Sequence, residues 1–271
     1  MTDVYQKKDL FFHLHIPKCG GCTITDYLKR SFRSQYYNVD SRYNNYQYNC
    51  LQVLELINGN KDIVCYGGHK FSLDLPWDNQ SLFLRAFTWI REPAERFISH
   101  YFFHRFHTDW VPEAKKYNLK DYTKWALIDG NQPNYINGQL MHLSQQKNLG
   151  EVSDCVEKSR LYLFDLKQLD LSVNGLNLIF PGYLHGRIQK TKNVSKKDQI
   201  VDNDLKELIQ SQMLLDFKLY DMSQQFTMSF LNSLKDLSLS QGVTQKDMFK
   251  GSIYMSLNIL QRGLSKAMSK L

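Results

Sequence analysis

Proline and glycine are scarce in this chain, with 6 and 14 among 271 residues. That excludes collagen-like and Pro/Gly-rich low-complexity architectures and leaves each such residue to act as local punctuation. Cysteine is scarce and odd in number: the five (Cys19, Cys22, Cys50, Cys65, Cys155) are scattered too widely to read as a disulfide framework. No stretch approaches the roughly twenty consecutive apolar residues that a membrane helix needs. The apolar run near the amino terminus is too short for a signal peptide or anchor. Read as a whole chain, the protein is therefore expected in a reducing cytoplasm. No internal repeat is visible. No helix-turn-helix, zinc-finger or RNA-binding aromatic motif speaks for nucleic acid, and no H-E-x-x-H or second C-x-x-C pair speaks for a metal.

What is present is a globular composition, 42% hydrophobic and 13% aromatic, with 34 basic against 27 acidic residues and a net charge of +7. The basic excess suits an anionic partner but also an ordinary solvated surface. Strand patterns over 10–16, 63–66, 82–90 and Leu161–Asp165 alternate with helical patterns over 51–58, 93–106, 172–180, 202–232 and 245–270. A further helix is expected from Thr23. Segments 35–50 and 107–140 have little periodicity and read as irregular. Alternating strands and helices predict an α/β fold, with a central, mainly parallel sheet flanked by helices. No linker forces a second domain, so 1–271 reads as one.

Two segments carry chemistry. The first is Lys18-Cys-Gly-Gly-Cys-Thr23, between the first strand and its helix. Backbone N–H groups at a helix start, together with the helix dipole, favour an anion. Gly20 and Gly21 let the backbone approach it, Lys18 adds a full charge, and Thr23 adds a hydroxyl. Because Lys18 precedes the glycines, this is a P-loop-like strand–loop–helix and not the nucleotide-triphosphatase motif. Read alone, it is also a tight turn. The spacing Cys19-Gly-Gly-Cys22 further admits a thioredoxin-like redox site. In the second segment, Arg91 ends a buried strand, Pro93 opens a helix and Ser99 lies about 9 Å along it, so Arg91 and Ser99 can share a phosphate.

Together these segments resemble the sulfotransferases that use 3′-phosphoadenosine 5′-phosphosulfate (PAPS), most closely the branch of heparan sulfate 2-O- and 6-O-sulfotransferases and related bacterial enzymes. The likeness continues in order through Tyr66-Gly-Gly-His-Lys-Phe71, Asn137-Gly-Gln139 with Leu143, Lys192-Asn-Val-Ser195 and Leu215-Asp-Phe-Lys-Leu-Tyr220. It covers about residues 10–230 and leaves 231–271 as a helical extension. One departure is Cys22, where the family has Thr or Ser; a thiol is the poorer donor, so a contact there is expected from the backbone.

The resemblance implies sulfuryl transfer from PAPS to a hydroxyl of a carbohydrate or small-molecule acceptor. Lys18, Cys19, Gly20, Gly21, Cys22 and Thr23 would hold the 5′-phosphosulfate, and Arg91 and Ser99 the 3′-phosphate. Asn193 and Ser195, in the basic loop 187–197, would close over the nucleotide, and no metal is expected. His69 is the implied base, and a histidine suits proton removal near neutral pH. His15 is the second candidate. His100, His104 and His107, at i, i+4 and i+7, read as a polar helix face. Tyr101, Phe103, Trp110 and Trp125 read either as liners of the acceptor site or as core. The alternatives are a redox protein using Cys19 and Cys22 and a nucleotide- or nucleic-acid-binding module.

Overall fold

In a computed structural model, residues 7–39, 46–189 and 203–240 are described. Five strands, β1 (Lys8–Leu14), β2 (Tyr36–Asn38), β3 (Cys65–Gly68), β4 (Leu82–Ile90) and β5 (Leu161–Asp165), form one sheet in the order β2-β3-β1-β4-β5. Every pairing is parallel. This is the expected α/β architecture. β1 is central, with His13 paired to Gly67 of β3 on one side and to Phe87 of β4 on the other. Its residues from Leu10 to Leu14 are buried, which is why they read as a continuous apolar run and not an alternating one.

Ten α-helices complete the described residues: α1 (Gly21–Phe32), α2 (Cys50–Gly59), α3 (Pro93–His107), α4 (Glu113–Lys116), α5 (Leu119–Thr123), α6 (Gly138–Leu143), α7 (Leu149–Glu157), α8 (Leu169–Ile179), α9 (Asn203–Gln212) and α10 (Leu214–Ser240). None of them is long and apolar enough to cross a membrane. The start of α2 is a capping box, with Asn49 and Gln52 each accepting the other's backbone N–H. At α3 the Glu92 side chain accepts from the Glu95 amide, and Pro93 occupies the first turn, where its missing N–H costs nothing.

The main apolar cluster surrounds the sheet and includes Phe11, Phe12, Tyr66, Phe87, Trp89 and Phe164. A second cluster joins α3 to α5, a π-helical turn over Lys124–Ile128 and α9, through Phe97, Tyr101, Tyr122, Leu127 and Ile209. At the strand ends, the Thr88 hydroxyl donates to the Leu14 carbonyl at 2.8 Å. This buried bond ties β4 to the last residue of β1 immediately before the glycine loop.

Several boundaries differ from the sequence reading. β1 ends at Leu14, so His15 and Ile16 lie beyond the strand. α1 opens at Gly21, which puts Gly21 and Cys22 in its first turn. Segment 35–50 holds the edge strand β2, whose three residues are too few to show a period. Segment 107–140 contains short helices, and 202–232 divides at Met213 into α9 and α10. The expected helix over 245–270 lies outside the described residues, as do Asn193 and Ser195.

Candidate active site

The chain leaves β1 toward the β2 side of the sheet and leaves β4 toward β5. Adjacent parallel strands whose connections diverge open a crevice at their carboxyl ends, the usual ligand position in open α/β sheets. Loop 15–20 and Arg91 stand on its two sides.

The loop has an unusual backbone. Lys18 (φ 68°) and Gly20 (φ 79°) are both left-handed, a conformation that is free for glycine and costs an ordinary residue roughly 1–2 kcal/mol. A Cβ on Gly20 would also lie 2.8 Å from Leu166 Cδ1. The amides of Thr23 and Ile24 turn back to the Gly20 carbonyl, while those of Gly20, Gly21 and Cys22 take no backbone acceptor among the described residues. They are the orphan donors of a helix N-terminus. Cys22 is exposed there, and Thr23 is buried at 7% exposure.

The opposite wall holds the loop's carbonyls. Arg91 Nη1 donates to the Lys18 carbonyl at 3.2 Å, and Arg96 Nε to the Pro17 carbonyl at 3.1 Å. A carbonyl turned toward an anion would repel it, so these two bonds leave the amide face of the loop suited to one. Lys18 Nζ sits 4.2 Å from the Phe103 ring centre. Burial, and then the nearby Arg91 charge, lower its pKa. Ser99 lies half-buried on α3.

Behind this wall is a buried polar relay. The Gln139 side chain pairs with both backbone groups of Arg91: Oε1 accepts from its N–H at 3.0 Å and Nε2 donates to its carbonyl at 2.8 Å. The same Oε1 accepts from the Cys19 thiol at 3.1 Å. Two helix starts cap one another around it. Asn137 Oδ1 accepts from the Leu215 and Asp216 amides at 2.9 and 3.0 Å. The Asp216 carboxylate in turn accepts from the Gln139 and Leu140 amides at 3.1 and 2.9 Å. Burial raises the Asp216 pKa, while Arg96 and those two amides favour its charged form. Gly138 leaves room beside it for the Arg96 guanidinium; a Cβ there would lie 3.1 Å from Nη1.

Cys19 is therefore a hydrogen-bonded core thiol, 2% exposed, with its pKa pushed up by burial to about 11. Reactive C-x-x-C cysteines are accessible and have lowered pKa values, so this geometry opposes the redox reading.

On the β3 side, His69 is exposed, and its Nδ1 lies 2.7 Å from the His15 carbonyl. Only a protonated Nδ1 can donate to a carbonyl, so the neutral ring carries its lone pair on Nε2. The His15 ring stacks on His69 with centroids 3.8 Å apart. It also lies so close to Gly21 that any Cβ there would overlap it. The second loop glycine thus makes room for a histidine, which is one reason that Gly21 and His15 belong to one site.

The structure brings together Lys18 to Thr23 and Arg91 through direct contacts, with His69 joined to the loop through His15. Behind them, the His13 ring stacks on His15 with centroids 5.3 Å apart and the His142 ring meets His69 edge-on at 6.4 Å. His13 and His100 are buried and His142 is half-buried, and desolvation lowers each pKa well below 6.5. No group of three or more His, Cys, Asp or Glu side chains among the described residues is arranged to hold a metal. Tyr101 is fully buried in the second core cluster and lines no open site, whereas Trp110 is 78% exposed.

Residues 3–223 match the model of the sulfotransferase family. No curated protein matches the chain.

Proposed function

Because this chain belongs to the sulfotransferase family, we propose that it transfers the sulfuryl group of PAPS to a hydroxyl of a carbohydrate or small-molecule acceptor, with His69 as base. The observation that carries this reading is the 3.2 Å bond from Arg91 Nη1 to the Lys18 carbonyl, which ties the glycine loop to the end of β4 and supports reading the two as one anion site.

The residues fit such a donor. The amides of Gly20, Gly21 and Cys22, the dipole of α1 and the Lys18 ammonium suit a 5′-phosphosulfate. Arg91 and Ser99 suit the 3′-phosphate, Arg91 offering donors beyond the one that Lys18 takes. Asn193 and Ser195 would complete the nucleotide site.

PAPS supplies a sulfuryl group activated by its phosphate. The chain's part is to align the acceptor, accept its proton and offset charge on the departing group. His69 Nε2 would receive the hydroxyl proton, and the Nδ1–H bond to the His15 carbonyl would steady the imidazolium that results. Lys18 would offset the charge that develops on phosphate.

The test is incubation with labelled PAPS and a panel of glycan, phenolic and small polar acceptors, read by mass spectrometry. Transfer to a hydroxyl acceptor that is lost in His69→Ala supports the reading; transfer undiminished in His69→Ala would remove the base assignment.

A further inference from the structure

Gln139 is fully buried and lies in α6, far in sequence from both anion-holding segments, yet its one amide group bonds to each of them. The orientation of that amide is settled by its partners. The Arg91 N–H can only donate and the Arg91 carbonyl can only accept, so Oε1 faces the former at 3.0 Å and Nε2 the latter at 2.8 Å. Oε1 then takes the Cys19 thiol as its second donor at 3.1 Å. Asp216 holds the Gln139 backbone from α10 at 3.1 Å, so the side chain projects from a fixed base.

We infer that Gln139 is a positioning residue that sets the spacing between the glycine loop and Arg91, and with it affinity for the donor's two charged ends. The inference rests on the proposed PAPS reading. Arg91 is the first residue past β4, two positions before Pro93, where no ladder bond continues, and a paired amide substitutes for one. Cys19 lies between Lys18 and Gly20, so the same oxygen also anchors the middle of the loop. With Gln139 replaced by an apolar side chain of similar length, the loop keeps the contacts of the Arg91 and Arg96 side chains to its carbonyls and that of Lys18 with Phe103 but loses the backbone pairing at Arg91, and a ligand gripping both ends would meet a wider range of separations.

The experiment compares the wild type with Gln139→Met, and with Cys19→Val, which replaces the thiol donor with apolar methyl groups. Binding of PAP (the desulfated nucleotide) is measured by calorimetry, melting temperature is recorded in parallel, and hydrogen exchange is followed in peptides covering 17–23 and 90–92. Expected are PAP affinity at least tenfold weaker in Gln139→Met, a smaller loss in Cys19→Val, and faster exchange in both peptides of the variants without ligand. A folded variant of either kind with wild-type PAP affinity and unchanged exchange at 17–23 overturns the inference, even if its melting temperature falls. If Gln139→Met does not fold, Cys19→Val alone decides. Failure of the wild type to bind PAP removes the functional reading instead, and the exchange comparison still decides whether Gln139 holds the loop.

Discussion

His69 Nδ1 meets the backbone carbonyl of His15 at 2.7 Å, a contact that puts the hydrogen of the neutral ring on Nδ1 and the lone pair on Nε2. A donor to a carbonyl must carry hydrogen, so Nε2 is the proton-accepting atom of the neutral ring. His69→Ala is expected to lower kcat by about 10²- to 10⁴-fold, the usual contribution of a general base, while PAP affinity stays within about twofold. Steady-state kinetics beside calorimetry separate the two; a matching loss of affinity would make His69 a binding residue.

Gly21→Ala is expected to be far more damaging than an alanine in a helix's first turn normally is. Its Cβ would overlap the His15 ring, which stacks on His69 at 3.8 Å. Overpacking of this kind costs about 1–3 kcal/mol, and the displaced ring would move His69. Turnover should fall at least tenfold. The double variant Gly21→Ala/His15→Ala, which removes the overlap, should recover stability measured by denaturant unfolding.

Lys18 lies in the left-handed region at φ 68°, where glycine is unstrained. Lys18→Gly should therefore fold within about 1 kcal/mol of the wild type, the relieved strain offsetting the lost contact with Phe103. Transfer should fall by orders of magnitude. Strong destabilisation would instead mean that the Lys18–Phe103 contact holds the loop.

Asp216→Asn keeps the shape of the side chain but replaces one acceptor of the Gln139 and Leu140 amides with an NH₂ group. A buried donor left without its acceptor costs about 1–3 kcal/mol, so the midpoint of urea unfolding should fall accordingly.

The desolvated histidines make stability depend on pH. His13, His100 and His142 have pKa values held well below 6.5 by desolvation. Below pH 6.5 the unfolded chain binds protons there that the folded protein does not, so stability falls on acidification and is insensitive to these groups above that pH. Each proton contributes up to about 1.4 kcal/mol per pH unit. His100→Phe should make the loss between pH 6.5 and 5 shallower, as read by unfolding at each pH.

Much of this site can be read in the residues themselves. The run from Leu82 to Ile90 is a strand at its expected bounds because it is mostly apolar, buried from Leu84 onward and closed by Arg91-Glu-Pro93. Lys18 to Thr23 is a loop entering a helix, although α1 begins at Gly21 because glycine at Gly20 supplies a left-handed cap. Tyr36–Asn38 escapes detection since three residues pairing at a sheet edge leave no period. Gln139 is harder still. Its order in the chain joins it to the family resemblance, but its bonds to Cys19 and Arg91 span 120 and 48 residues, and no local pattern reports so distant a partner. The inward turn of Cys19 is hidden for the same reason: C-x-x-C spacing does not tell a core thiol from a reactive one.

Whether one crevice holds both ends of the donor nucleotide is measured most directly by thermal unfolding with and without PAP. At about 100 times its dissociation constant PAP should add about 2.7 kcal/mol of stability, raising the melting temperature by several degrees, and Arg91→Ala should reduce the shift. No shift at saturating PAP, with the wild type folded, would contradict the single-crevice reading.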